Sequence, residues 1–151
     1  GIDFFDTAEV YPVPAKKETA GLTEEWVGDW MKTRDRDSLI IATKAAYSGG
    51  AGRANILASA ETSRQRLQLD TLDVLYIHRF DPETPLTESF GALAELKQQG
   101  HIRTIGLSNF AAWQVVKAAH VAAGFGLEIA TIQPMYAAQS MHWLLAVMTC
   151  P

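Results

Sequence analysis

Short apolar runs alternate with amphipathic stretches along this chain, and that alternation constrains its fold more than any other feature. The apolar runs predict strands at 1–5, 38–43, 72–77, 103–107 and 129–135. The stretches between them have helical spacing and predict helices at 22–32, 54–68, 86–99 and 111–123. Because strands and helices alternate, we expect a parallel sheet in an α/β fold.

A polar residue closes each of the first three predicted strands. Asp6 follows the first strand, Lys44 the second and His78 the third. In parallel α/β folds, and in barrels above all, reactive groups gather at the carboxyl ends of the strands. We therefore expect these three side chains to converge on one rim of the sheet, with Tyr11 on the loop just above it.

These four residues have the chemistry of a proton-transfer set. A tyrosine hydroxyl with a pKa of about 10 is a poor acid at neutral pH, and a nearby ammonium such as that of Lys44 is expected to lower the pKa. Asp6 can hold the lysine in place, and a neutral His78 can donate a hydrogen bond to a carbonyl oxygen. None of the four can donate a hydride, so a cofactor must supply the reducing equivalent.

Four blocks of the sequence resemble the aldo-keto reductase family. They are GIDFFDTAEVY at 1–11, IATK at 41–44, LDVLYIHRFD at 72–81 and GHIRTIGLSNF at 100–110. The resemblance implies a (β/α)8 barrel of the TIM type and reversible, NADPH-dependent reduction of aldehydes and ketones. A small-molecule carbonyl compound is then the expected substrate.

The resemblance also implies roles for particular residues. It implies that Tyr11 is the proton donor, that Lys44 and Asp6 tune it, and that His78 orients the substrate carbonyl. It implies further that the nicotinamide carboxamide of the cofactor is held by Ser108, Asn109 and Gln133.

The chain is too short for a complete barrel. A closed barrel of eight strands takes about 250 residues, whereas this chain has 151 residues and five predicted strands. We expect one domain, 1–151, that resembles strands two to six of the family's barrel. By the same resemblance, the loops that grip the cofactor's phosphates follow strands seven and eight, so that half of the NADPH site is expected to be missing. An open sheet leaves two unpaired edges, which predicts marginal stability, aggregation or self-association.

Residues 137–151 depart from the family pattern, because no charged residue occurs among them. An apolar stretch at 141–148 could be a helix that packs on the open sheet, or this atypical tail could be sequence unrelated to the fold.

Composition excludes several classes of protein. The net charge is −4 and no basic run is present, so nucleic acid is not an expected partner. The only cysteine, Cys150, cannot form an internal disulfide and fits a cytoplasmic protein. No Cys/His cluster indicates a metal site, and no apolar run approaches the roughly 20 residues of a membrane span.

Three functions stay open at this point. The chain could belong to an NADPH-dependent carbonyl reductase, or to a non-catalytic, redox-sensing regulatory subunit resembling potassium-channel β subunits, or it could be an inactive truncated form. Several nearby residues have plainer interpretations. Tyr47 and Tyr76 are predicted to pack, Arg79 and Asp81 to contact substrate or form a rim salt bridge, and the glycines at 48–52 to form a flexible connection.

Overall fold

Five parallel strands form a single sheet in this protein. A computed structural model describes residues 1–135 of the chain. The strands lie side by side in sequence order, which gives the sheet the shape of a curled half-barrel. They are β1 (Phe4–Asp6), β2 (Ile40–Ala45), β3 (Leu72–Ile77), β4 (Ile102–Ser108) and β5 (Ile129–Gln133). The expected parallel α/β architecture, with about five strands of an incomplete barrel, is confirmed.

A helix follows each of the first four strands. The helices are α1 (Leu22–Met31), α2 (Arg53–Leu67), α3 (Leu86–Gln98) and α4 (Ala112–Gly124). Every predicted strand and helix is present, and its ends lie within three residues of the predicted ones. None of the described helices is long and apolar enough to cross a membrane. The predicted tail at 137–151, together with Cys150, lies outside the described residues.

The main hydrophobic core lies between the sheet and its helices. Successive side chains of a strand point to opposite faces of the sheet. One face therefore buries Ile41, Leu75 and Ile105 against Phe90 and Leu93 of α3 and the other helices. The opposite, concave face carries a smaller apolar cluster of Ala42, Val74 and Tyr76. Each large apolar side chain in this core contributes about 1.5–3 kcal/mol of burial free energy.

One carboxylate is buried inside β3. Asp73 accepts a hydrogen bond from the Ile41 backbone N–H at 2.8 Å and one from Arg36 at 2.5 Å. Arg103 lies 3.0 Å from its other oxygen as an ion pair. Because Asp73 joins β2, β3 and β4 at the end opposite the predicted rim, its role in this fold is structural.

The predicted flexible connection at 48–52 needs correction. The loop at 48–52 is tied down by contacts, because Asn55 donates to the Ser48 and Gly50 carbonyls at 2.8 and 2.7 Å, and Asp81 accepts from the Ala51 N–H at 2.8 Å. α1 starts after Gly21 without a side-chain cap. Gly100 follows α3 in the left-handed conformation (φ 76°) that glycine adopts without strain.

Candidate functional site

The carboxyl ends of β1, β2 and β3 bring the predicted rim residues together. Asp6 is the last residue of β1, and His78 directly follows β3, where its backbone N–H donates to the Ala45 carbonyl at 2.8 Å. Lys44 lies inside β2 rather than after it, because the strand continues to Ala45. The register places Lys44 beside Tyr76 of β3, on the concave face of the sheet.

Lys44 is held by two acceptors from the end of β1. Its ammonium pairs with the Asp6 carboxylate and donates a hydrogen bond to the Thr7 carbonyl at 2.9 Å. The Lys44 side chain is 1% exposed and that of Asp6 is 27% exposed. The ammonium lies 5.1 Å from the centre of the Tyr11 ring, and 5.8 Å from that of Tyr76. A buried positive charge therefore lies beside the predicted proton donor.

Tyr11 lies on the loop between β1 and α1, and its acidity differs from the expectation. Burial, followed by the negative charge of Asp6 and then by Tyr47, raises the pKa of Tyr11 above its ordinary value of 10.0. The prediction that Lys44 lowers this pKa is therefore wrong in direction, because burial and the Asp6 charge both disfavour the phenolate. The consequence is a tyrosine that keeps its proton at neutral pH.

His78 is neutral at physiological pH. Burial, followed by the nearby Lys44 charge, lowers the pKa of His78 from 6.5 to about 4. Its ring packs edge-on toward Tyr11, with the centroids 6.1 Å apart. Its Nδ1 atom is buried and has no hydrogen-bond partner within residues 1–135. Its imidazole is therefore an uncharged group beside the tyrosine, as a hydrogen-bond donor to a carbonyl oxygen should be.

Ser108, Asn109 and Gln133 form one polar group at the ends of β4 and β5. Asn109 donates its side-chain amide to the Ser108 hydroxyl at 3.1 Å and to the His78 carbonyl at 2.9 Å. Ser108 donates to the Gln133 side-chain oxygen at 3.3 Å, and the Gln133 amide reaches Asp6 at 3.4 Å. This polar group is thus continuous with the Asp6–Lys44 pair.

The sequence did not indicate Glu9 as a rim residue, and it predicted only packing for Tyr47. Tyr47 packs on the His78 ring with the centroids 4.8 Å apart, and the Arg79 guanidinium lies 4.8 Å from the centre of the Tyr47 ring. The Glu9 carboxylate accepts a hydrogen bond from the Tyr47 N–H at 2.9 Å. These contacts join residues that lie 31 to 38 positions apart, and no local pattern signals them.

Asp81 makes local hydrogen bonds in place of the predicted rim salt bridge, while Tyr76 packs as predicted. Asp81 accepts hydrogen bonds from Ala51, Glu83 and Thr84, and forms no salt bridge within the described part of the chain. These hydrogen bonds lower its pKa. Tyr76 is buried on the concave face, where its hydroxyl lies 3.2 Å from that of Thr131. No group of His, Cys, Asp or Glu within residues 1–135 is arranged to hold a metal ion.

Known proteins resemble this chain along most of its length. The model of the Aldo/keto reductase family matches residues 1–143. Protein tas of Escherichia coli (strain K12) is 36% identical over 166 aligned positions, which cover 90% of this chain and 48% of that protein. Norsolorinic acid reductase B of Dothistroma septosporum is 35% identical over 141 positions, which cover 84% of this chain and 34% of that protein.

A solved structure shows the same fold. The crystal structure of a thermostable aldo-keto reductase in complex with the inhibitor epalrestat superposes with a TM-score of 0.76 at 35% identity. The match covers 87% of this chain and 44% of that one. The chain thus spans less than half the length of these three relatives. The family model, the curated relatives and the shared fold agree, and this chain belongs to the aldo/keto reductase family.

Proposed function

We propose that this chain carries the proton-donor half of an oxidoreductase that reduces aldehydes or ketones to alcohols with NADPH. The observation that carries the proposal is the convergence of Tyr11, Lys44, Asp6 and His78 on one rim in a member of this family. The printed name of one relative, a norsolorinic acid reductase, supports reduction as the class of reaction.

Tyr11 is the proton donor in this proposal. The hydroxyl is protonated at neutral pH, as that of any tyrosine with a pKa of 10 or above is, so the proton is available when negative charge develops on the substrate oxygen. The Lys44 ammonium, 5.1 Å from the ring, then stabilises the phenolate that remains. Asp6 keeps Lys44 in that position.

His78 orients the carbonyl group. Because its pKa is about 4, the imidazole is neutral at physiological pH and carries a single ring N–H. That N–H can donate to the carbonyl oxygen from beside Tyr11, whose ring faces the imidazole edge-on. The two side chains together direct the oxygen toward the proton that it receives.

The polar group at the ends of β4 and β5 fits a nicotinamide carboxamide. A carboxamide needs both a donor and an acceptor, and the Ser108 hydroxyl and the amides of Asn109 and Gln133 offer both. NADPH, when bound, supplies the hydride that no side chain of the set can donate. The link from Gln133 to Asp6 places this group beside the proton-transfer residues.

The first test is titration of the 151-residue chain with NADPH, following cofactor fluorescence, with size-exclusion chromatography to define the assembly that binds. Turnover of an aldehyde and ketone panel is then compared for the wild type and Tyr11→Phe. We expect Tyr11→Phe to lower kcat roughly 100-fold or more, the effect of removing a general acid, with little change in NADPH affinity.

The matched control is Tyr76→Phe, which also removes one tyrosine hydroxyl from the concave face. It should keep most of the turnover. If Tyr11→Phe keeps it as well, Tyr11 is not the donor. Saturable NADPH binding with no turnover of any carbonyl favours the redox-sensing regulatory alternative, and no binding contradicts the proposal for this chain.

A further inference from the structure

An ion pair between the buried Glu24 and the partly exposed Arg66 lies behind the loop that carries Tyr11, outside the rim itself. Arg66, near the end of α2, lies 3.3 Å from the Glu24 carboxylate in the first turn of α1. Glu24 is fully buried, and its other oxygen accepts a hydrogen bond from the Thr43 hydroxyl at 2.6 Å. We call Arg66, Glu24 and Thr43 the Arg66 cluster.

The Arg66 cluster contacts the Tyr11 loop on both sides of Tyr11. The guanidinium donates to the Glu9 carbonyl, two residues before Tyr11, at 3.2 Å. It also lies flat against Gly21, where a Cβ atom would overlap it, and Gly21 has the left-handed φ of 91°. The Gly21 N–H in turn donates to the Tyr11 carbonyl at 3.1 Å. One guanidinium therefore holds both ends of the backbone around Tyr11.

The same cluster reaches the strand that carries Lys44. Thr43 immediately precedes Lys44 in β2, so their side chains point to opposite faces of the sheet. On the helix side of the sheet, Glu24 accepts a hydrogen bond from the Thr43 side chain, while on the concave side Lys44 faces Tyr11. The cluster thus connects the two segments whose side chains meet at the proton-transfer site.

We propose that Arg66, fixed by Glu24, is a positioning residue that sets the location of Tyr11 relative to Lys44. A loop of the length of 7–21 has many conformations, and proton transfer requires one of them to be held closely. The ion pair favours a single arrangement, because the fully buried Glu24 carboxylate would lose its cationic partner if the guanidinium moved away. For turnover the inference rests on the proposed reduction, whereas for the position of Tyr11 it does not.

The test uses the full chain with 13C-labelled tyrosine, and Tyr11→Phe assigns the Tyr11 ring signal. Arg66→Met, which removes the guanidinium, should shift or broaden the Tyr11 signal at neutral pH. The Tyr76 signal, on the same sheet, should stay in place as the internal reference. Arg66→Lys keeps the positive charge but lacks the planar guanidinium with its several N–H donors. In this variant the Tyr11 signal should lie between its positions in Arg66→Met and in the wild type.

Arg64→Met is the matched control. Arg64 lies one half-turn away on α2 and pairs with Glu61, at 2.6 Å, instead of with the loop. Its removal should leave the Tyr11 signal unchanged. A folded Arg66→Met chain with an unchanged Tyr11 signal overturns the proposal. If Arg66→Met does not fold, the same comparison is made with Arg66→Lys, and an unchanged Tyr11 signal in that variant overturns the proposal equally.

Turnover supplies a second readout, because a purely structural role of Arg66 would not change kcat separately from KM. In folded Arg66→Met we expect kcat to fall roughly 10- to 100-fold, the effect of misplacing a reacting group, while KM and NADPH affinity change little. A loss of kcat/KM of the same size that comes from a raised KM alone, with kcat unchanged, would contradict the positioning role of Arg66. If the wild-type chain reduces no carbonyl compound, the proposed function fails, and the tyrosine signals still decide whether Arg66 positions Tyr11.

Discussion

The two members of the Asp6–Lys44 pair differ in exposure, and this makes their removal unequal. In Asp6→Asn, the Lys44 side chain, which is 1% exposed, loses its anionic partner. Its ammonium is then left with two neutral groups, the Thr7 carbonyl and the new amide. We expect this substitution to lower the free energy of unfolding by about 3 kcal/mol or more, as for an uncompensated buried charge. Lys44→Met leaves Asp6, which is 27% exposed and can be hydrated, and should cost less than about 1 kcal/mol.

Urea unfolding of the two variants and the wild type measures this difference. Both variants should lose turnover. Lys44→Met should lose turnover with little loss of stability, whereas Asp6→Asn should lose both. A larger stability loss in Lys44→Met than in Asp6→Asn would contradict the role of burial in this pair.

His78 gives the protein a pH dependence of stability. Its pKa is about 4 when folded and 6.5 in the unfolded chain. Between these values the unfolded state binds more protons, so the stability from the neutral imidazole is complete above pH 6.5 and is lost as the pH falls toward 4. Wild type should therefore lose melting temperature in this window more steeply than His78→Gln.

The control for this measurement is His120→Gln, which removes an exposed imidazole from α4. It should follow the wild-type curve. Parallel curves for wild type and His78→Gln would show that the imidazole has the same affinity for protons in both states.

At the scale of elements, β3 and β4 approach each other through a glycine. A Cβ atom on Gly106 would lie 2.5 Å from the Tyr76 ring and 2.9 Å from the Thr131 methyl group. Gly106→Ala should therefore displace Tyr76 and cost about 1–3 kcal/mol, the usual range for overpacking. Gly124→Ala, at the end of α4, meets no atom within 4 Å and should stabilise the chain by about 0.4–1 kcal/mol.

Thermal or urea unfolding compares these two alanine variants. Opposite signs are expected from the same chemical change, because only Gly106 has a neighbour where the methyl group goes. Equal effects would mean that the β3–β4 contact relaxes without cost.

At the scale of the whole molecule, the sheet has two edges within residues 1–135. β1 and β5 each pair with a strand on one side only, and the apolar side chains of Phe4, Ile40 and Ile132 are exposed. Unpaired edges and exposed apolar groups favour association with another sheet. We expect the 151-residue chain made alone to dimerise or aggregate at micromolar concentration.

Sedimentation velocity over a concentration series, combined with thermal melting, checks this expectation. A concentration-independent monomer with one sharp, cooperative transition would contradict it. A dimer that binds NADPH when the monomer does not would mean that association rebuilds the cofactor site.

Much of this fold could be predicted from the sequence because its signals are local. Hydrophobic periodicity depends on neighbouring residues, and it located every described strand and α-helix to within three residues. Strand ends that carry Asp6 and His78 indicated the rim, because parallel strands end at one edge. β1 and β2 end later than predicted, since β1 includes Asp6 and β2 continues past Lys44 to Ala45, with no change of pattern at either end.

By itself, then, the sequence determined the order and type of the elements and which polar residues share a rim, since both depend on spacing along the chain. Only the tertiary structure decided the direction of the Tyr11 pKa, the packing of Tyr47 on His78 and the burial of Glu24 against Arg66. Each of these depends on distance and desolvation between residues far apart in sequence. Folding sets those quantities, and no local pattern encodes them.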